Sequence, residues 1–156
     1  MVRKTPTRSL DRRDFMAAGA ALISATALFG PAAKAGRPEM EAAMAELLGD
    51  RTAEEGRISL DLPEIAENGN TVPLTVEVES PMTDDDYVTA VHIFSEANPL
   101  PNVASMKFTP RSGEAVASTR IRLAKTQKIH AIAEMSDGSV FTAAREVKVT
   151  IGGCGG

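Results

Sequence analysis

Residues 128–151 read Lys128-Ile129-His130-Ala131-Ile132-Ala133-Glu134-Met135-Ser136-Asp137-Gly138-Ser139-Val140-Phe141-Thr142-Ala143-Ala144-Arg145-Glu146-Val147-Lys148-Val149-Thr150-Ile151. Two β-rich runs, Lys128 to Met135 and Ser139 to Ile151, flank Ser136-Asp137-Gly138, and such a turn between such runs signals a β-hairpin. Upstream the same two-residue period recurs. Val72, Leu74, Val76 and Val78 alternate with polar partners, as do Ile58, Leu60 and Leu62. Tyr87 to Phe94 is β-rich, and Val103 to Phe108 and Ala115 to Leu123 read as further strands. Between them lie a loop around Glu67-Asn68-Gly69-Asn70, a polar turn from Pro81 to Asp86 and a rigid connection, Asn98-Pro99-Leu100-Pro101-Asn102. About seven short strands with closely spaced turns predict an antiparallel β-sandwich of immunoglobulin-like type. With no Trp, one Tyr and five Phe, its core rests on aliphatic side chains.

Only one stretch of the body departs from this period. In Pro38-Glu-Met-Glu-Ala-Ala-Met-Ala-Glu-Leu-Leu48, Met40, Met44, Leu47 and Leu48 fall at helical spacing, Pro38 suits the first turn and Gly49 closes the end. A short amphipathic helix is expected, its Met and Leu stripe a packing face. At the other end the last strand runs into Gly152-Gly153-Cys154-Gly155-Gly156. Four glycines in five residues give broad backbone freedom. Fully extended, such an arm reaches up to roughly 17 Å beyond Ile151.

Residues 1–35 belong to a different text. A basic opening containing Arg12-Arg13 precedes an uncharged Ala-rich run from Ala17 to Ala33, which closes on Ala33-Lys34-Ala35. That order is a signal peptide, and adjacent arginines before a weakly apolar run, with Phe15 just beyond, mark the twin-arginine export route. Gly19, Ser24, Gly30 and Pro31 dilute the run too far for a good membrane-spanning helix. The expected organisation is 1–35 export signal, 36–151 sandwich with its helix, and 152–156 arm, in a protein carried folded to the periplasm and free of the membrane after cleavage. Residues 1–35 hold six basic and two acidic residues, so the chain's 17 basic and 21 acidic residues fall to 11 and 19, a net of −8. An acidic body argues against nucleic acid or an anionic membrane as partner.

Cys154 is the sole cysteine, so it cannot form an internal bridge. It is an incidental thiol, a cross-link to another molecule, or a nucleophile that carries a group. A free thiol in an oxidising compartment is a liability, which counts against the incidental reading. Nothing adjacent activates it: Arg145 and Lys148 lie several residues back, and the terminal carboxylate of Gly156 opposes thiolate formation. This suits a carrier whose chemistry comes from the enzymes it visits. His92 and His130 lie within strand patterns, lack metal-ligand spacing and are expected to be structural. Asp84-Asp85-Asp86 lacks the spacing of a calcium loop and reads as a solvated turn. There is no Ser-His-Asp set and no phosphate loop, so no cofactor and no metal are expected.

The ending Val149-Thr150-Ile151-Gly152-Gly153-Cys154-Gly155-Gly156, behind a β-rich domain and a twin-arginine leader, closely resembles the SoxY family of periplasmic thiosulfate-oxidation carriers. So do Pro81-Met-Thr-Asp-Asp-Asp-Tyr-Val88, Asn98-Pro-Leu-Pro101, Phe108-Thr-Pro-Arg-Ser-Gly113 and Ser118-Thr-Arg-Ile-Arg-Leu123. The resemblance implies a non-catalytic subunit that pairs with SoxZ and holds sulfur on Cys154. It implies oxidative attachment of thiosulfate by the haem enzyme SoxXA, hydrolysis by SoxB to a persulfide and, where present, further oxidation by SoxCD. Two other classes remain. A ubiquitin-like sulfur carrier also ends in Gly-Gly, but it uses a terminal thiocarboxylate in the cytoplasm, against both the leader and Cys154. A structural subunit would use Cys154 for one permanent intermolecular disulfide.

Overall fold

The structure, a computed structural model, describes residues 36–152. The expected export signal with Arg12 and Arg13, and the arm residues Gly153, Cys154, Gly155 and Gly156, lie outside the described residues. One helix, α1 (Arg37–Leu48), precedes nine strands: β1 (Ala53–Glu55), β2 (Ile58–Asp61), β3 (Ile65–Asn68), β4 (Val72–Val78), β5 (Val88–Ser95), β6 (Asn102–Lys107), β7 (Ala115–Ile121), β8 (Gln127–Met135) and β9 (Val140–Ile151). A 3-10 turn, Pro110–Ser112, lies between β6 and β7.

The alternation read in the sequence is the alternation of burial. Along β4, Val72, Leu74, Val76 and Val78 are buried, and Pro73 and Glu77 face water. β4 pairs antiparallel with both β2 and β7, giving a three-stranded sheet in the order β2-β4-β7. The second sheet runs β1-β9-β8-β5-β6, with β3 also on β9. Leu60, Leu74 and Val76 from the first sheet and Val91, Ile93, Ile129, Ala131 and Val147 from the second belong to one buried cluster. Each fully buried aliphatic side chain of this kind contributes about 1.5–3 kcal/mol.

The β8–β9 hairpin closes as its turn residues require. Gly138 sits at φ 87 and donates to the Met135 carbonyl at 3.1 Å. Asp137 accepts from both the N–H and the hydroxyl of Ser139, and those bonds hold its carboxyl below the usual aspartate range.

The larger sheet is mixed, where the sequence pattern predicts a purely antiparallel sandwich. β1 runs parallel to β9 (Ala53↔Val140 to Glu55↔Thr142), and β3 does the same further along (Ile65↔Lys148 to Asn68↔Ile151). The cause lies in β9, whose 12 residues leave one long edge bare once β8 has paired on the other. Unpaired backbone groups on such an edge need cover, and two short strands supply it.

Helix α1 matches its predicted span and lies on the outer face of the larger sheet. Met40 packs there with Phe94, Ile132 and Val140, and Met44, Leu47 and Leu48 are half-buried around them. Gly49, at φ 57, returns its N–H to the Ala45 carbonyl and ends the helix.

Candidate functional site, the root of the arm

Three connections converge where β9 ends. The turn after β3 contributes Gly69, whose N–H donates to the Ile151 carbonyl at 2.8 Å. The β7–β8 connection contributes Leu123, whose N–H donates to the Gly69 carbonyl at 2.7 Å, and whose side chain is fully buried. In the same connection the Thr126 hydroxyl accepts the Val149 N–H at 2.9 Å, satisfying β9 just beyond the start of β8. The last residues of β9 are therefore held from both sides, and the Thr150 hydroxyl adds a bond to the Glu67 carbonyl at 3.0 Å.

The β5–β6 connection is the third. Its Asn98 side chain donates to the Arg122 carbonyl at 2.7 Å and accepts from the Ala124 N–H at 3.1 Å. Gln127, only 5% exposed, ties the two connections together. Its Nε2 donates to Asn98 Oδ1 (3.0 Å) and to the Lys125 carbonyl (3.1 Å), while its Oε1 accepts the Ala97 N–H (2.8 Å). Buried amides of this kind persist when their groups are paired, as here. Between Pro99 and Pro101, Leu100 is left 76% exposed.

Gly152, the first residue after β9, lies hard against the Ala124 carbonyl. A Cβ built on it would fall well inside contact distance of that oxygen. Of the predicted arm residues this is the one described. Cys154 itself lies outside the described residues, two positions beyond Gly152. The segment that supplies β7, the β7–β8 connection and most of β8 is cationic although the body is acidic. From Ala115 to Ala133 there is no Asp or Glu, while Arg120, Arg122, Lys125 and Lys128 are all exposed. None of the four makes an ion pair among the described residues. Glu146 stands opposite Lys128 across the β8–β9 ladder, and Glu67 lies near Thr150.

The two histidines take structural partners. His92 contacts Ser105 Oγ through Nδ1 (2.8 Å) and Glu134 through Nε2 (3.2 Å), and Glu134 also receives Arg51 at 2.6 Å. His130 contacts Glu96 through Nε2 (3.3 Å), and Glu96 receives Arg37 at 3.0 Å. Burial raises the Glu96 pKa, but hydrogen bonds from His130 and Arg37, the Arg37 charge and the Lys128 backbone outweigh it and hold the carboxyl below its ordinary value. Arg37 opens α1 and Arg51 lies just past its end, so each His–Glu pair anchors one end of the helix to the sheet. Asp84, Asp85 and Asp86 form a turn in which Thr83 and Asp86 bond each other. Among the described residues no group of three or more His, Cys, Asp or Glu is placed to hold a metal ion. Sequence reading missed Asn98, Ala124, Gln127 and Gly69 as parts of the arm root.

The fold is that of a two-sheet β protein, and its sequence runs from the last strand into Gly152-Gly153-Cys154-Gly155-Gly156, which holds the chain's one thiol. A family model for the sulfur oxidation protein SoxY matches residues 44–154, a span that includes Cys154. The solved structure of the sulfur carrier protein SoxY from Chlorobium limicola f. thiosulfatophilum is 37% identical, covering 73% of this chain and 98% of its own, with a TM-score of 0.61. The chain belongs to the SoxY family. The role that goes with that family is carriage rather than catalysis. Superoxide reductases from Ignicoccus hospitalis (18% identity, 60% of this chain and 80% of that one, TM-score 0.53) and Nanoarchaeum equitans (14%, 62% and 100%, 0.52) share the fold alone. No curated protein matches the chain.

Proposed function

We propose that this protein is a sulfur carrier that holds thiosulfate-derived sulfur on Cys154 and presents it to enzymes that supply the chemistry. The observation that carries the reading is the family match running through residue 154, which takes in the only thiol of the chain, set between two Gly-Gly pairs. In the proposed cycle the Cys154 thiol and thiosulfate join through a new S–S bond, releasing a proton and passing two electrons to the conjugating haem enzyme, SoxXA. Water then cleaves the S–SO3 bond of the resulting S-thiosulfonate in SoxB, giving sulfate and a Cys154 persulfide. Where SoxCD is present, it oxidises the remaining sulfane sulfur. The body is a scaffold of immunoglobulin-like type that forms a heterodimer with SoxZ. Residues 1–35, with Arg12-Arg13, direct export by the twin-arginine route to the periplasm.

Intact mass spectrometry under non-reducing conditions tests this. The mature protein with its partner is incubated with and without thiosulfate and the conjugating enzyme, beside Cys154→Ser. Adducts of thiosulfonate or persulfide mass are expected on Cys154, reversed by reductant and absent from the serine variant. An unmodified thiol, or one fixed disulfide indifferent to thiosulfate, would falsify the carrier reading and leave a structural subunit.

A further inference from the structure

We propose that Gly152 is a positioning residue: it is the clamped root that aims the arm, and it is glycine because no side chain fits between β9 and the Ala124 carbonyl. This deepens the carrier reading of Cys154 and, for its functional consequence, rests on it.

The glycines of the arm read in sequence as one flexible unit, but the structure separates the first from the rest. Gly152 is not among the glycines at positive φ, so its backbone does not require the missing side chain. Space requires it. A Cβ there would overlap Ala124 O and stand 3.4 Å from the Ala124 carbonyl carbon, and both obstacles are main-chain atoms. A flexible side chain in the way could rotate aside, whereas a fixed peptide group cannot.

Both sides of the contact are pinned. On the loop side, Ala124 donates to Asn98 Oδ1, Asn98 donates to the Arg122 carbonyl, and Leu123 is fully buried with its N–H on Gly69 O. On the strand side, Ile151 pairs with Asn68 and accepts the Gly69 N–H. Gly69 joins the two sides, since its N–H holds the strand and its carbonyl holds the loop. The loop is held by fully buried Leu123 and by Asn98 while Ile151 is exposed, so a methyl group added at 152 must displace the end of β9 and the Gly69 bond on it.

This fixes where the arm's length is counted from. Cys154 lies two residues past Gly152, so its Cα is confined to within about 7 Å of the Gly152 Cα. With so short a tether, the direction in which the chain leaves the root selects which volume the thiol can visit. Misplacing a reacting group by about 1 Å can cost about 10²-fold in rate, so a deflected root is expected to be felt at the enzyme.

The test compares Gly152→Ala with Gly153→Ala in the mature protein with its partner. In Gly152→Ala, amide exchange at Gly69 is expected to accelerate by about tenfold or more, because its acceptor on Ile151 is displaced. In Gly153→Ala, Gly69 exchange stays at the wild-type rate. In the thiosulfate conjugation assay, kcat/KM is expected to fall about tenfold or more for Gly152→Ala and clearly less for Gly153→Ala. Labelling of Cys154 by Ellman's reagent, which needs no docking, stays within about twofold of wild type in both. Asn98→Ala, which frees the Ala124 loop, should couple to Gly152→Ala, the double variant losing less kcat/KM than the two single losses combined. Unchanged Gly69 exchange in Gly152→Ala overturns the proposal, as do equal kcat/KM losses in the two glycine variants or strictly additive losses with Asn98→Ala. If wild type itself forms no adduct, the carrier reading fails, while the exchange comparison still decides whether Gly152 is clamped.

Discussion

Replacing Gln127 by leucine keeps most of the side chain's bulk and removes its polar groups from a site only 5% exposed. The bond accepted from Ala97 N–H and those donated to Asn98 Oδ1 and the Lys125 carbonyl are lost. Asn98 Oδ1 keeps the Ala124 N–H and Lys125 is exposed, so those two losses cost about 1 kcal/mol each. The Ala97 N–H loses its acceptor in a half-buried position, which costs about 1–3 kcal/mol. Against this, a buried leucine returns about 2 kcal/mol of transfer free energy. The balance is a destabilisation of about 2 kcal/mol. Urea unfolding of the mature chain reads it directly: for a slope of about 2 kcal/mol per molar, the midpoint should fall by about 1 M with the slope unchanged. Amide exchange at Ala97 should accelerate in the same variant. A midpoint equal to or above wild type would refute the reasoning, since the amide network would then be worth no more than the leucine that replaced it.

Leu74, 1% exposed at the centre of the three-stranded sheet, should cost about 2–5 kcal/mol when cut to alanine, read as a shift in the same urea midpoint. Glu96 titrates below its ordinary value of 4.5 in the folded chain, so its contribution to stability is complete above that pH and disappears as pH falls through the lowered pKa. The stability difference between wild type and Glu96→Gln is therefore expected to shrink on acidification below about pH 4.5, and urea midpoints measured down the pH scale check the direction. A difference that grows with acid would reverse the sign argued from His130 and Arg37. Cys154→Ser should leave the unfolding free energy of the body, read from urea unfolding, within about 0.5 kcal/mol of wild type while abolishing every sulfur adduct.

The fold was legible where burial has a period. β4 and α1 announce themselves because one face of each is apolar and packs inward, and the β8–β9 hairpin because two β-rich runs flank the turn residues Ser136-Asp137-Gly138. β1 and β3 left no such trace. They are 3 and 4 residues long, and the buried residue in them is Ala66 alone. They form because the free edge of β9 needs hydrogen-bond partners, a demand written in the neighbour's length and not in their own sequence. The expectation of an antiparallel sandwich failed at that point, since parallel pairing on a bare edge follows from topology alone.

The site divides in the same way. A lone cysteine between glycine pairs is chemically conspicuous, and the two histidines, which lack ligand spacing, contact Ser105, Glu134 and Glu96. Nothing in Asn98, Ala124 or Gln127 marks them, because their importance arises from 24–30 residues of sequence separation collapsing to hydrogen-bond distance. Gly152 shows how composition misleads. Four identical residues in a five-residue tail invite one explanation, backbone freedom. At the first of them the structure supplies another, because a fixed carbonyl occupies the place of the side chain. The proposed carrier role would use two properties in sequence: a length of chain beyond the body, and a fixed point from which that length is measured. The last hydrogen-bonded residue pair of the sandwich, Asn68 and Ile151, with the Gly69 bridge beside it, ties Gly152 to the folded body, so under the proposed role the body's folding energy sets the direction in which the chain leaves β9.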